Sequence, residues 1–193
     1  MAIDAIFLDL DGVAADFVGG FLQLAGLDRV HAFGNWKPGA YCMFDALGIP
    51  EATGWSMIGT AGTAFWSELD PLPEGLRLWE ELRMVAPTTW LTAPPRSMPV
   101  AGFAAAGKVQ WLKRQFGPAF NRYLLGPDKR ACAWRTSVLI DDSERNVEAF
   151  RAAGGNAILW PQHWNRHHAI TDCDRKLDLV MVELERIHKA RRY

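Results

Sequence analysis

The stretch Ala5-Ile6-Phe7-Leu8-Asp9-Leu10-Asp11-Gly12-Val13 constrains the fold more than any other, because an apolar run passes into a turn through two carboxylates. A run apolar at nearly every position suits a strand buried on both faces of a parallel sheet, with its polar residues at the carboxyl end where the chain leaves the core. Open α/β sheets bind ligands at that edge. Side chains alternate along a strand, so Asp9 and Asp11 point to one side and share a small region of space. Without a cation the two repel each other, and the doublet suits Mg²⁺, which takes one or two carboxylates together with phosphate oxygens and water. Gly12 permits a tight turn and close approach of backbone N–H groups to an anion. A strand-ending turn with solvated aspartates has the same local pattern, so the rest of the chain must separate the two readings.

Downstream, Ala14 to Leu27 carries Phe17, Phe21, Leu22 and Leu24 at helical spacing, weakened by Gly19-Gly20. From about His31 to Pro71 the texture changes to Gly, Trp, Phe and Met, with short helical patterns at 41–47 and 64–69 punctuated by Pro38, Pro50, Pro71 and Pro73. Such an aromatic insertion suits a cap over a site, where its rings stack on a flat substrate; a small satellite core has the same composition. From Pro73 the pattern is regular. A helix is predicted from Pro73 to Pro87, a strand at 88–92, a helix from about Gly102 to Phe116, and a short strand at 123–125. A buried strand at 137–140 follows and delivers Asp141-Asp142; then come a Ser143-capped helix to Gly154-Gly155, a strand at 156–160, a polar connector at 161–174 and a closing helix. Arg186, Lys189, Arg191 and Arg192 suit the carboxyl end of that helix. Strands alternating with helices predict an α/β fold with a parallel sheet and right-handed crossovers.

Composition excludes several classes. At 193 residues and 49% hydrophobic content the chain can bury one sizeable core, and its formal net charge of -1 offers no basic surface for polymeric nucleic acid. Cys42, Cys132 and Cys173 are odd in number and widely spaced, which fits a reducing compartment rather than a disulfide framework. Asp4 and Asp9 interrupt the first apolar run and no basic leader precedes it, so a signal peptide is not expected. The uncharged stretch at 52–67 is too short and too rich in Gly and Thr for a membrane span. A cytoplasmic protein without a membrane partner is expected, with homodimerisation left open.

Four polar stops fall at or just after the ends of the first four strands: Asp9/Asp11, Thr92, Lys129 and Asp141/Asp142. In a parallel sheet these ends face the same way and can converge. A carboxylate nucleophile, a second carboxyl as proton donor, a hydroxyl and an ammonium for phosphate oxygens, and a distal acidic pair for a metal make a complete phosphoryl-transfer site.

In this ordered set, D-x-D-G, then Thr after a strand, then Lys, then an acidic pair, the chain resembles the haloacid dehalogenase-like phosphohydrolases. Within them it is most similar to the 5′(3′)-deoxyribonucleotidases, through the segments 9–17 and 68–73, Lys108 with Trp111 and Phe116-Gly117, Pro127-Asp128-Lys129, and 139–142. The resemblance implies a Rossmann-like core domain from residues 1–18 and 72–193, with residues 19–71 as a small, mainly helical cap inserted after the first strand and helix. It implies that Asp9 attacks phosphorus while Asp11 protonates the leaving alkoxide and then activates water. Mg²⁺ would be held by Asp9, the Asp11 carbonyl and one or both of Asp141 and Asp142, and Thr92, Lys129 and Lys108 would contact phosphate. Phe17 and Trp36, with Phe65 or Trp66 behind them, would enclose a base. The implied activity is Mg²⁺-dependent hydrolysis of nucleoside monophosphates, with a sugar phosphate or another small phosphorylated metabolite as the alternative substrate.

Rival patterns are weaker. Gly102 to Val109 nearly spells a P-loop, but Val109 stands where a Ser or Thr must bind Mg²⁺, and Pro94, Pro95 and Pro99 separate it from the preceding strand. A catalytically silent binding protein would have no use for the intact set. His163, His167, His168, Asp172 and Cys173 are irregularly spaced and read as a surface connector rather than a zinc site.

Overall fold

The structure, a computed structural model, describes residues 3–95 and 99–190. Arg191 and Arg192 therefore lie outside the described residues. Five strands, β1 (Ala5–Leu8), β2 (Thr88–Thr92), β3 (Tyr123–Leu125), β4 (Ser137–Asp141) and β5 (Asn156–Leu159), form one sheet in the order β3-β2-β1-β4-β5. Every pairing is parallel, with Leu8 opposite Trp90 on one side and Ile140 on the other. The order reverses at β1, so the crevice between the carboxyl ends of β1 and β4 is the switch point at which such sheets bind ligands.

Strand alternation divides the core. Ile6, Leu8, Trp90, Val138 and Ile140 join the larger cluster with α5 (Pro73–Leu82), α6 (Val100–Phe116) and α8 (Cys173–Lys189). Phe7, Leu91 and Leu139 face the other way and meet Val147 and Phe150 of α7 (Glu144–Ala152). Both faces are covered, which is why β1 and β4 are continuously apolar. Trp79 of α5 stacks on Trp90 with centroids 4.9 Å apart.

The insertion leaves and re-enters the core at adjacent points: Asp16 N–H donates to the Asp70 carbonyl at 2.9 Å, and Leu72 N–H donates to the Ala14 carbonyl at 2.7 Å. Trp111 Nε1 and Arg114 Nη2 also donate to the Leu69 carbonyl, fastening the return to α6. Between these points lie α1 (Phe17–Leu24), α2 (Arg29–Asn35), α3 (Met43–Ala46) and α4 (Glu51–Ser67). The Asp16 side chain caps α1 by accepting from Gly19 N–H, and α1 runs unbroken through the expected boundary at residues 18 and 19.

The largest departure from expectation is α4, a helical run of 17 residues kinked at Gly62, where the sequence pattern predicts only a short helix at 64–69. Gly54 and Gly59 each lower helix propensity by about 1 kcal/mol, and tertiary packing reverses the outcome. Gly54 leaves room for the Phe44 ring, and Gly107 of α6 lets the Trp66 Cβ and the Thr63 carbonyl approach, so that a Cβ at either glycine would collide. Gly62 interrupts the helix at φ 65°, ψ -142°, a backbone conformation for which glycine is suited. Among the described residues no helix is long and apolar enough to cross a membrane.

Candidate active site

Four segments bring charged side chains to the carboxyl edge of the sheet. Asp9 follows β1 directly and is buried, and the bonds it accepts fall on Oδ1: Leu10 N–H at 2.7 Å and Lys129 Nζ at 2.6 Å. Lys129 opens a 3-10 turn at 129–132, capped by the Asp128 side chain. Its ammonium also meets Asp141 Oδ2 at 2.6 Å, bridging the ends of β1 and β4. Asp141 is fully buried and accepts further bonds from Ser143 N–H and Asn146 Nδ2.

A second ammonium serves the neighbouring carboxyl. Lys108, 1% exposed on α6, contacts Asp11 Oδ2 at 2.6 Å and donates to Thr92 Oγ1 and the Ala93 carbonyl, each at 2.8 Å. Because Thr92 accepts from Lys108, its own hydroxyl proton is left for an anion. Asp11 Oδ1 is buried and has no hydrogen-bond partner among the described residues. The P-loop-like segment is thus the interior of α6, and its lysine points to Asp11 and Thr92.

Burial sets the protonation of these groups. It raises the Asp11 carboxyl, with Lys108 opposing and Asp9 reinforcing. It also pushes Asp141 up to about 6 against the pull of Lys129, and Asp142, next to Asp141 and Asp9, well above the usual carboxylate range. For Lys129, burial alone would favour the neutral amine, but Asp141 and Asp9 outweigh it and hold the ammonium.

This charge balance bears on whether a cation fits. Buried carboxylate oxygens of Asp9, Asp141 and Asp142 lie within 4.8 Å of one another, close to the about 4.2 Å that separates opposite oxygens around Mg²⁺. Among the described residues the Lys129 ammonium pairs with Asp9 and Asp141 and leaves Asp142 to a neutral donor, so a divalent cation offsets charge that burial otherwise penalises. The donors are all oxygen, as a hard cation requires. The residues therefore fit the ion.

The aromatic residues separate into two groups. Phe17, Phe65 and Trp66 meet with centroids 5.2–5.6 Å apart, and Lys108 Nζ lies 5.1 Å from the Trp66 ring, so this group adjoins Asp11. Trp36 is not among them. It is 2% exposed and stacks between Phe33 and Trp164, with Nε1 donating to the Ala40 carbonyl.

Sequence reasoning missed the connector after β5. Its first part is buried rather than a surface loop: Asn165 is 1% exposed and Trp164 8%, and Trp164 Nε1 donates to Asp142 Oδ2 at 2.7 Å, whereas residues 166, 169, 171, 172 and 174 are exposed. Among the described residues its histidines join no group able to hold a metal. A Trp-Asn pair just past the carboxyl end of the last strand was the available signal. Tyr41 was also missed: its ring is 53% exposed, yet burial of the hydroxyl and the nearby Asp142 push it up to about 12, with Ser143 as a hydrogen-bond partner.

A sheet of this order, opening an acidic cluster between its first and fourth strands, defines a haloacid dehalogenase-like phosphoric monoester hydrolase. The chain belongs to the family described as 5′ nucleotidase, deoxy (pyrimidine), cytosolic type C protein, whose model matches residues 2–184. A haloacid dehalogenase-like hydrolase from Streptococcus pneumoniae shares the fold with 16% identity and a TM-score of 0.54, over 93% of this chain and 98% of that one. Another from Xanthomonas campestris has 14% identity and a TM-score of 0.56, over 98% and 95%. A search by sequence among curated proteins gives no match.

Proposed function

We propose that this phosphohydrolase removes phosphate from nucleoside monophosphates, with the phosphate over the β1–β4 crevice and the base against Phe17 at the start of α1, backed by the buried Phe65 and Trp66 of a cap spanning residues 19–71. One observation carries the reading: Lys108 touches Asp11 and Thr92 and also lies beside the Trp66 ring, so the anion-binding groups and a flat apolar wall are one side chain apart. Aromatic faces stack on any base, with affinity of about 1–3 kcal/mol each.

Asp9 attacks phosphorus through Oδ2, since the bonds it accepts occupy Oδ1. As the new P–O bond forms, the bond to the nucleoside oxygen breaks and that oxygen takes the Asp11 proton. The raised Asp11 carboxyl is suited to carry a proton at the start, and its unpartnered Oδ1 is the atom to hold it. Asp11, now ionised and paired with Lys108, takes a proton from water as the water oxygen attacks phosphorus, which frees Asp9 and inorganic phosphate. Thr92 and Lys108 orient the phosphate oxygens, and Lys129 holds Asp9 by Oδ1. Asp9, Asp142 and the Asp11 carbonyl, with Asp141, would hold Mg²⁺, which when bound neutralises phosphate charge.

Phosphate release from deoxyribonucleoside and ribonucleoside monophosphates and from sugar phosphates, with Mg²⁺ or with chelator, tests this. Cation-dependent release with kcat/KM highest for nucleotides is expected. A preference for sugar phosphates would overturn the nucleotide assignment.

A further inference from the structure

The connector after β5 grips both acidic turns of the site. Gln162 Nε2 donates to the Gly12 carbonyl at 2.5 Å, Asn165 Nδ2 to the carbonyls of Asp142 and Trp160 at 2.9 and 2.8 Å, and Trp164 Nε1 to Asp142 Oδ2. Asp142 differs from its neighbour in what holds it. Asp141 has an ammonium, a backbone N–H and an amide, whereas the hydrogen bond to the Asp142 carboxylate among the described residues comes from a neutral indole. A neutral donor fixes one oxygen in place and leaves the negative charge for a cation. The donor itself cannot swing away. The Trp164 ring stacks on Trp36 at 5.9 Å, with Phe33 on the far side of Trp36, and a Cβ at Gly12 would strike both the Asp142 carboxylate and the indole.

We infer that Trp164 is a positioning residue: its indole N–H sets the Asp142 carboxylate in the orientation that binds a divalent cation, and the cap braces it through Trp36. The inference rests on the proposal that Asp142 is among the cation ligands. Partners of this kind are worth about 10- to 100-fold in metal affinity when removed.

The test is a calorimetric titration of the substrate-free protein with Mg²⁺, alongside phosphate-release kinetics across Mg²⁺ concentrations. Two replacements remove the N–H: Trp164→Phe, and substitution of Trp164 by β-(3-benzothienyl)alanine, which keeps the bicyclic shape if the smaller ring fails to fold. Both should weaken Mg²⁺ binding at least about tenfold, while kcat at saturating Mg²⁺ stays within about threefold of the unaltered protein. Unchanged Mg²⁺ affinity in the shape-preserving variant would overturn the inference, and so would a lost kcat that no Mg²⁺ concentration restores. Asp142→Asn separates the two levels. If it binds Mg²⁺ as the unaltered protein does, the ligand assignment beneath the inference has failed; if it loses binding while the Trp164 variants keep it, only the role of Trp164 has.

Discussion

At the carboxyl edge of the sheet, Asp9, Lys129 and Asp141 are joined by contacts of 2.6 Å and are all at most 7% exposed, whereas across the site Phe17, Phe65 and Trp66 meet only through rings with centroids 5.2–5.6 Å apart. In the first region each charge is held by its neighbours, so removing one strands the others in a poorly solvated place. In the second, contacts are many, weak and non-directional, and loss of one ring is graded. Under the proposed function the floor carries the chemistry and the wall the choice of substrate.

The sharpest attempt to break that division is Asp9→Asn. It should lower turnover by at least about a thousandfold while circular dichroism remains that of the folded protein; residual turnover near the original level would remove Asp9 from the role of nucleophile. Next in size is Lys129→Met. It leaves Asp9 and Asp141 without their shared ammonium and should cost about 3–5 kcal/mol in urea unfolding of the metal-free protein, with part of the loss recovered on adding Mg²⁺. A neutral result would mean that the floor is not electrostatically interlocked.

Phe17→Leu should act on the other side of the comparison. It is expected to raise KM for a nucleoside monophosphate about tenfold, the equivalent of about 1.4 kcal/mol of stacking, with kcat little changed. A fall in kcat matching that of Lys108→Ala would show that the wall takes part in the chemistry.

The smallest expected effect is on pH. Asp11, Asp141 and Asp142 all have carboxyls raised by burial, so between the unfolded value near 3.8 and the folded value of about 6 for Asp141 the folded state binds more protons than the unfolded one. Stability of the metal-free protein must then fall as pH rises through that window. The melting temperature should drop by a few degrees from pH 4 to pH 7, and Mg²⁺ should raise it more at pH 7 than at pH 5. Equal Mg²⁺ shifts at both values would argue against cation binding to these carboxylates.

The same two regions differ in how far they could be read from sequence. The turn after β1 is legible because an apolar strand can carry Asp9 and Asp11 only at its exit, and the strands at 88–92 and 123–125 fall where the turn residues place them. Asp9, Lys129 and Asp141 converge because parallel strands expose the same ends, a rule independent of side-chain detail. In the insertion the signals conflict. Gly54 and Gly59 argue against a helix until the Phe44 ring and the Val100 side chain pack beside them, and nothing local announces that. Trp36 reads as one more aromatic of the insertion, and only its partner Trp164, far along the chain, assigns it to a different stack from Phe17. The connector at 161–174 was illegible for a related reason: its polar residues satisfy buried backbone carbonyls and a carboxylate, not water, and composition cannot distinguish the two.

Acid-quenched turnover of 4-nitrophenyl phosphate by the Asp11→Asn variant, followed by peptide mapping, tests the central claim most directly, because nitrophenolate leaves without the proton that Asp11 supplies and loss of the residue that activates water should then leave the phosphoryl group on the enzyme. The account predicts a phosphorylated peptide with the modification on Asp9, in an amount that grows with Mg²⁺. A phosphoryl group on any other residue, or phosphate release at the unaltered rate with Asp9 never modified, would contradict it.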